Sequence, residues 1–123
     1  MAQRLPPELE KLILRYQHLE SQLASVVTQK SVVVSQIKEV ERALSILQSL
    51  GGEAVVYKNT GFVLVKVKKE DVVKELEERK EELRIRLTSL ERMETTLRKQ
   101  LEEVKSQLDK YRTGLIGTGG KAG

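Results

Sequence analysis

The sequence predicts a mainly α fold: a long antiparallel two-helix coiled coil with one β-hairpin at the turn. Three observations carry this. Apolar residues recur in alternating steps of three and four through most of the chain, and they crowd into β-branched runs only over Ala54–Lys68. Aromatics make up 3% of the 123 residues, with one Phe and no Trp. A compact core of this length needs more aromatic side chains than that, whereas long seams of Leu, Val and Ile among Glu, Lys and Arg do not.

Met1–Leu5 is a short lead-in, and Pro6-Pro7-Glu8 opens the first helix, expected over 8–50. Proline suits the first turn, where its missing N–H has no partner to lose, and Glu8 and Glu10 suit the positive end of the helix dipole. The seam then runs Leu9, Leu12, Tyr16, Leu19, Leu23, Val26, Lys30, Val33, Ile37, Val40, Leu44, Leu47. An a/d register held this long is a strong coiled-coil signal. Leu50-Gly51-Gly52 ends it, glycine being a common helix stop.

A hairpin is expected over 54–68. Val55, Val56 and Tyr57 form one apolar run, and Phe62, Val63, Leu64, Val65 and Val67 form another. Asn59-Thr60-Gly61 links them, with a glycine free to take positive φ. Alternation places Val63, Val65 and Val67 on one face and Phe62 and Leu64 on the other. A lone two-stranded hairpin is marginal in water, and two apolar faces with two open edges make it worse. It needs strands from other chains, so the hairpins are expected to join between chains.

The second helix is expected over 70–112, with the seam Val73, Leu76, Lys80, Leu83, Leu87, Leu90, Glu94, Leu97, Leu101, Val104, Leu108, Tyr111. Each helix of about 43 residues would be about 65 Å long. Joined by a short hairpin, they fold back and zip together, with both termini at the end away from the hairpin. Residues 1–112 thus form one domain. The glycine-rich tail 113–123 (TGLIGTGGKAG) is expected to be disordered.

Lys30, Lys80 and Glu94 interrupt the seam, and folding at the hairpin brings Lys30 and Glu94 within about one helical turn. They fix register at some cost in stability, or serve clients or gating. Ile13, Val27 and Val34 follow seam positions; they either widen the contact between the helices or offer a surface to something outside the chain.

Several function classes are disfavoured. Cysteine is absent, which removes disulfides and thiolate metal sites. No Ser/His/Asp, Cys/His or metal-ligand grouping occurs, and His18 stands off the seam with no second ligand nearby. No catalytic, cofactor-binding or metal residues are therefore nominated, no cofactor is expected, and the chain is not read as an enzyme. Gly119-Gly120-Lys121 is not a phosphate loop, lacking a glycine five places before Gly120 and having Ala122 where Ser or Thr belongs. The net charge of +4 is spread thinly, with 12 basic and 12 acidic residues interleaved over 69–112; nucleic-acid binders concentrate their charge in one stripe. No apolar run approaches a membrane span, and no signal-peptide apolar region opens the chain, so a cytoplasmic protein is expected.

Helix, single hairpin and helix, with these particular residues, resemble the prefoldin β subunit in its archaeal form, over roughly Leu5 to Tyr111. The most specific matches are Leu5-Pro6-Pro7-Glu8, Thr28-Gln29-Lys30, Val56-Tyr57-Lys58 and the run Gly61 to Val67 (GFVLVKV). One departure is Lys68 or Lys69 at the second helix start, where the family often has Asp, so that this start is expected to fray more.

The resemblance implies a hexamer of two α and four β chains, whose hairpins join in a β-barrel platform carrying six coiled-coil arms. It implies an ATP-independent chaperone that captures unfolded client proteins and passes them to a group II chaperonin. The partners would be a prefoldin α subunit, other β copies, clients and the chaperonin, with no nucleic acid and no membrane. Assembly would use Val55, Val56, Tyr57, Phe62, Val63, Leu64, Val65 and Val67. Clients would be held where the arm ends fray, by Leu9, Leu12, Ile13, Tyr16, Leu19, Leu23, Leu97, Leu101, Val104, Leu108 and Tyr111. The rival reading is a structural coiled-coil scaffold that oligomerises without holding clients.

Overall fold

The computed structural model describes residues 5–121, with side-chain environments over 5–114. The order is α1 (Pro7–Ser49), β1 (Val56–Asn59), β2 (Leu64–Val67) and α2 (Lys69–Lys121). Residues 1–4 of the expected lead-in lie outside the described residues.

Pro7 occupies the first position of α1, with Glu8 and Glu10 in the first turn, and Glu10 N donates to Pro6 O at 3.0 Å. The other end of α1 has no basic residue in its last turn. Its carbonyls are satisfied in three other ways. Ser49 Oγ donates to Ile46 O at 2.7 Å, Leu50 N to Leu47 O at 3.2 Å, and Lys69 Nζ to Leu50 O at 3.1 Å. Neither Gly51 nor Gly52 has positive φ, so the stop is not the left-handed glycine cap. The amine of Lys69 thus serves the negative end of α1. The start of α2 is closed by Val72 N donating to Lys68 O at 3.2 Å, with Glu70 and Asp71 in its first turn.

The hairpin is antiparallel, pairing Val56 with Val67, Tyr57 with Lys66, Lys58 with Val65 and Asn59 with Leu64. Gly61 takes φ 102°, the positive φ expected of the link. Its N–H donates to Asn59 Oδ1 at 2.9 Å, and the N–H and Oγ1 of Thr60 both donate to Val63 O at 3.0 Å. These bonds draw Phe62 and Val63 into the turn, out of the strand that apolar character suggested. The alternation therefore starts at Leu64: Val65 and Val67 share a face with Val56 and Lys58, while Leu64 shares the other with Tyr57, Asn59 and Lys66.

α2 continues to Lys121, past the end expected at 112. The side chains of 115–123 lie outside the described residues.

Two compact parts divide the chain, residues 29–89 around the hairpin and residues 1–28 with 90–123. In the hairpin part, Val33, Ile37, Leu44, Leu47 and Leu83 are buried; in the other, Leu9, Leu19, Val26, Leu90, Leu97 and Val104. Every seam position named from the heptads is buried or half-buried. The two rows of the seam differ in depth. Along α2, Leu83, Leu90, Leu97 and Val104 recur every seventh residue in the deep row, whereas Val73, Lys80, Leu87, Glu94, Leu101 and Leu108 are half-buried. Lys80 and Glu94 both fall in the shallow row, and Lys30 is likewise half-buried between Leu23 and Ile37. In the shallow row of α2 a long polar side chain can bury its stem and keep its head wet.

Candidate functional site

The face of the hairpin bearing Val56, Lys58, Val65 and Val67 is turned toward the helices. Lys58 Nζ donates to Glu75 Oε1 of α2 at 2.6 Å, and Val56 and Val67 are half-buried. The opposite face is bare: Tyr57 is 59% exposed and Leu64 67%, while Phe62, at the turn, is 100% exposed. Val55, Val63 and Val65 are exposed as well. The sheet has two strands and hence two unpaired edges. Contiguous exposed apolar side chains beside open strand edges mark a surface made to be covered.

All the residues nominated for clients fall in the part formed by 1–28 and 90–123. Leu9, Leu19, Leu97 and Val104 are buried; Leu12, Ile13, Tyr16, Leu23, Leu101, Leu108 and Tyr111 are half-buried. In the zipped state all but Ile13 are seam positions. An open groove of about 470 Å³ lies over its end, lined by Glu8, Lys11, Leu12 and Arg15 of α1 and by Gln107, Lys110 and Tyr111 of α2. There Tyr111 OH donates to Glu8 Oε2 at 3.0 Å across 103 residues of sequence. The hydrogen bond to the carboxylate, with lesser help from burial and from its charge, raises the Tyr111 pKa above the ordinary 10.0.

Of the apolar residues beside the seam, Ile13 and Val34 are half-buried, whereas Val27 is exposed. Sequence reasoning passed over Leu14, Val32, Ile46, Ile85 and Met93, all exposed. Leu14 left a signal, because Leu12-Ile13-Leu14 turn through about 200° of helix and cannot all face one seam. The others left none in the heptad pattern.

Two of the polar seam residues have visible partners. Lys80 Nζ lies 3.8 Å from Glu41 Oε2 in the hairpin part. Glu94 accepts from Arg98 Nε at 3.2 Å and Nη2 at 2.8 Å, one turn along its own helix. His18 is exposed, and among the described residues no group of His, Cys, Asp or Glu is arranged to hold a metal. No described helix is long and apolar enough to cross a membrane.

Known proteins share this architecture. A family model described as "Prefoldin subunit" matches residues 10–114. The chain is 43% identical to prefoldin subunit beta of Archaeoglobus fulgidus over 104 residues, covering 85% of this chain and 90% of that one. It is 42% identical to prefoldin subunit beta of Sulfolobus acidocaldarius over 115 residues, covering 90% and 92%. The crystal structure of the prefoldin beta subunit from Thermococcus strain KS-1 superposes with TM-score 0.81 at 36% identity, covering 89% of this chain and 96% of that one. Single hairpin, heptad helices and these likenesses agree: the chain belongs to the prefoldin subunit family and is similar, nearly end to end, to its archaeal β subunits.

Proposed function

We propose that this chaperone subunit works as an ATP-independent holdase, capturing unfolded proteins and delivering them to a group II chaperonin. It would act in the cytoplasm as one of four β chains assembled with two α chains. The observation that carries the assembly is the bare hairpin face of Tyr57 and Leu64, with Phe62 fully exposed beside it. Joining hairpins edge to edge into a closed barrel covers that face and removes the open edges. Holding would fall to the part formed by residues 1–28 and 90–123, through Leu9, Leu12, Ile13, Tyr16, Leu19, Leu23, Leu97, Leu101, Val104, Leu108 and Tyr111. Each large apolar side chain offered to a client contributes up to about 1.5–3 kcal/mol, without regard to direction or client sequence. Six arms on one platform raise the effective concentration of the remaining arms once one is engaged. Release then needs a competing partner and no nucleotide. The glycine-rich stretch 113–123 is assigned no part in holding.

The burial of Leu9, Leu19, Leu97 and Val104 favours the rival, a scaffold that only oligomerises, since a closed seam offers clients nothing. Suppression of aggregation decides between them. The assembled complex should keep a denatured protein in solution without ATP; a stable complex that leaves aggregation unchanged would establish the scaffold.

A further inference from the structure

We propose that Glu8 and Tyr111 form a latch that holds the end of the helix pair shut, and that its release exposes Leu9, Leu12 and Leu108 for capture. This rests on the holding function proposed above and concerns how that site is controlled.

The latch sits where the seam runs out. Glu8 is in the first turn of α1, one residue before Leu9, which is buried. Tyr111 is three residues beyond half-buried Leu108 and one heptad beyond Val104, which is 1% exposed. Among the described residues, one further layer follows Val104 along the seam: Leu12, Leu108 and the Tyr111 ring, tied by the hydroxyl to the Glu8 carboxylate at 3.0 Å. The groove of about 470 Å³ adjoins this tie, with Leu12 and Tyr111 among its lining. Around it stand Lys11, Arg15 and Lys110, whose stems add apolar wall while their charged ends stay in water.

The pair suits a latch better than a permanent fastening. Both partners are open to solvent, so water replaces the bond readily when it breaks, and its net strength is modest. The last turns of a helix pair open independently of the rest, at a small fraction of the global stability. An apolar segment entering beside Leu12 reaches Leu9 only as the latch yields, because Leu9 is buried while the end stays shut. The rise in the Tyr111 pKa fits a hydroxyl whose proton is held by a carboxylate.

The test uses the full chain assembled with an α subunit, and the variants Tyr111→Phe, Glu8→Ala, Glu8→Gln and the double Tyr111→Phe/Glu8→Ala. Tyr111→Phe removes one hydroxyl and keeps the ring, and Glu8→Gln keeps an acceptor. Amide exchange over residues 7–12 and 105–112 should speed up about two- to fivefold in Tyr111→Phe, the scale of one solvent-exposed hydrogen bond. It should stay near wild type in Glu8→Gln, and the tyrosine change should add nothing once Glu8 is Ala. Association with labelled, reduced and alkylated α-lactalbumin, a permanently unfolded chain, should accelerate by the same factor. Unchanged exchange in Tyr111→Phe would remove the latch, and so would equal effects of that change with and without Glu8. Faster exchange with unaltered association would show that the end opens but does not control capture, which also overturns the proposal. If the wild-type complex binds no unfolded chain, the holding function itself fails, while exchange still reports on the latch.

Discussion

Replacing Leu64 with Asp separates assembly from folding. Leu64 lies on the bare face of the hairpin and is 67% exposed in the single chain, so the change alters the folded subunit by no more than about 0.5 kcal/mol. In a closed platform the same side chain is covered. Losing its burial then costs about 1.5–3 kcal/mol, and a carboxylate left there without a partner adds about 1–3 kcal/mol more. Two such effects at each hairpin joint weaken it by about 100-fold or more, at 1.4 kcal/mol per tenfold. Leu64 is a sharper choice than Val65, which lies on the face turned toward the helices. Sedimentation should show loss of the hexamer on mixing with an α subunit, while circular dichroism shows unchanged helix content. Leu64→Val, as a control, should assemble. A hexamer of ordinary stability carrying Asp at 64 would refute the covered-face reasoning.

Three more outcomes are expected from the helices. Val104→Ala cuts into the most buried seam position and should cost about 1–3 kcal/mol in thermal or denaturant unfolding, with assembly preserved. Lys69→Met removes the amine from the C-terminal carbonyl of α1; exchange at residues 47–50 should speed up severalfold, whereas an unaffected α1 end would show that Ser49 and the Leu50 N–H suffice. Tyr111 should titrate above the ordinary tyrosine value of 10.0 in ultraviolet difference spectra, and Phe at 111 should delete that late step. The sign follows from the raised pKa: the folded chain keeps the proton after the unfolded chain has lost it. This stabilisation is complete below about pH 10 and fades as pH climbs through the folded value.

Much of this architecture was written in the spacing of apolar residues. The heptads named each seam position because a/d periodicity and burial are two views of one geometry. β-branched crowding found the hairpin, and Gly61 marked the positive φ of its turn. The strand limits were not legible, since the bonds made by Asn59 and Thr60 outweigh the apolar character of Phe62 and Val63. Nor was the depth of each row along α2, because periodicity is identical for both. Lys69 read as a poor helix start because its service is to a carbonyl 19 residues earlier. The bond between Glu8 and Tyr111 spans 103 residues and depends on register to within a turn, which no local pattern encodes.

Where clients are gripped is tested most directly by shortening the helix pair at that end. Deleting residues 1–12 together with 105–123 removes Leu9, Leu12, Leu108 and Tyr111 and leaves the hairpin and the inner heptads in place. Assembly should persist, and protection of a denatured protein from aggregation should fall sharply at equal complex concentration. A shortened hexamer that protects as well as the full one would place the grip nearer the platform and contradict the assignment of holding to these residues.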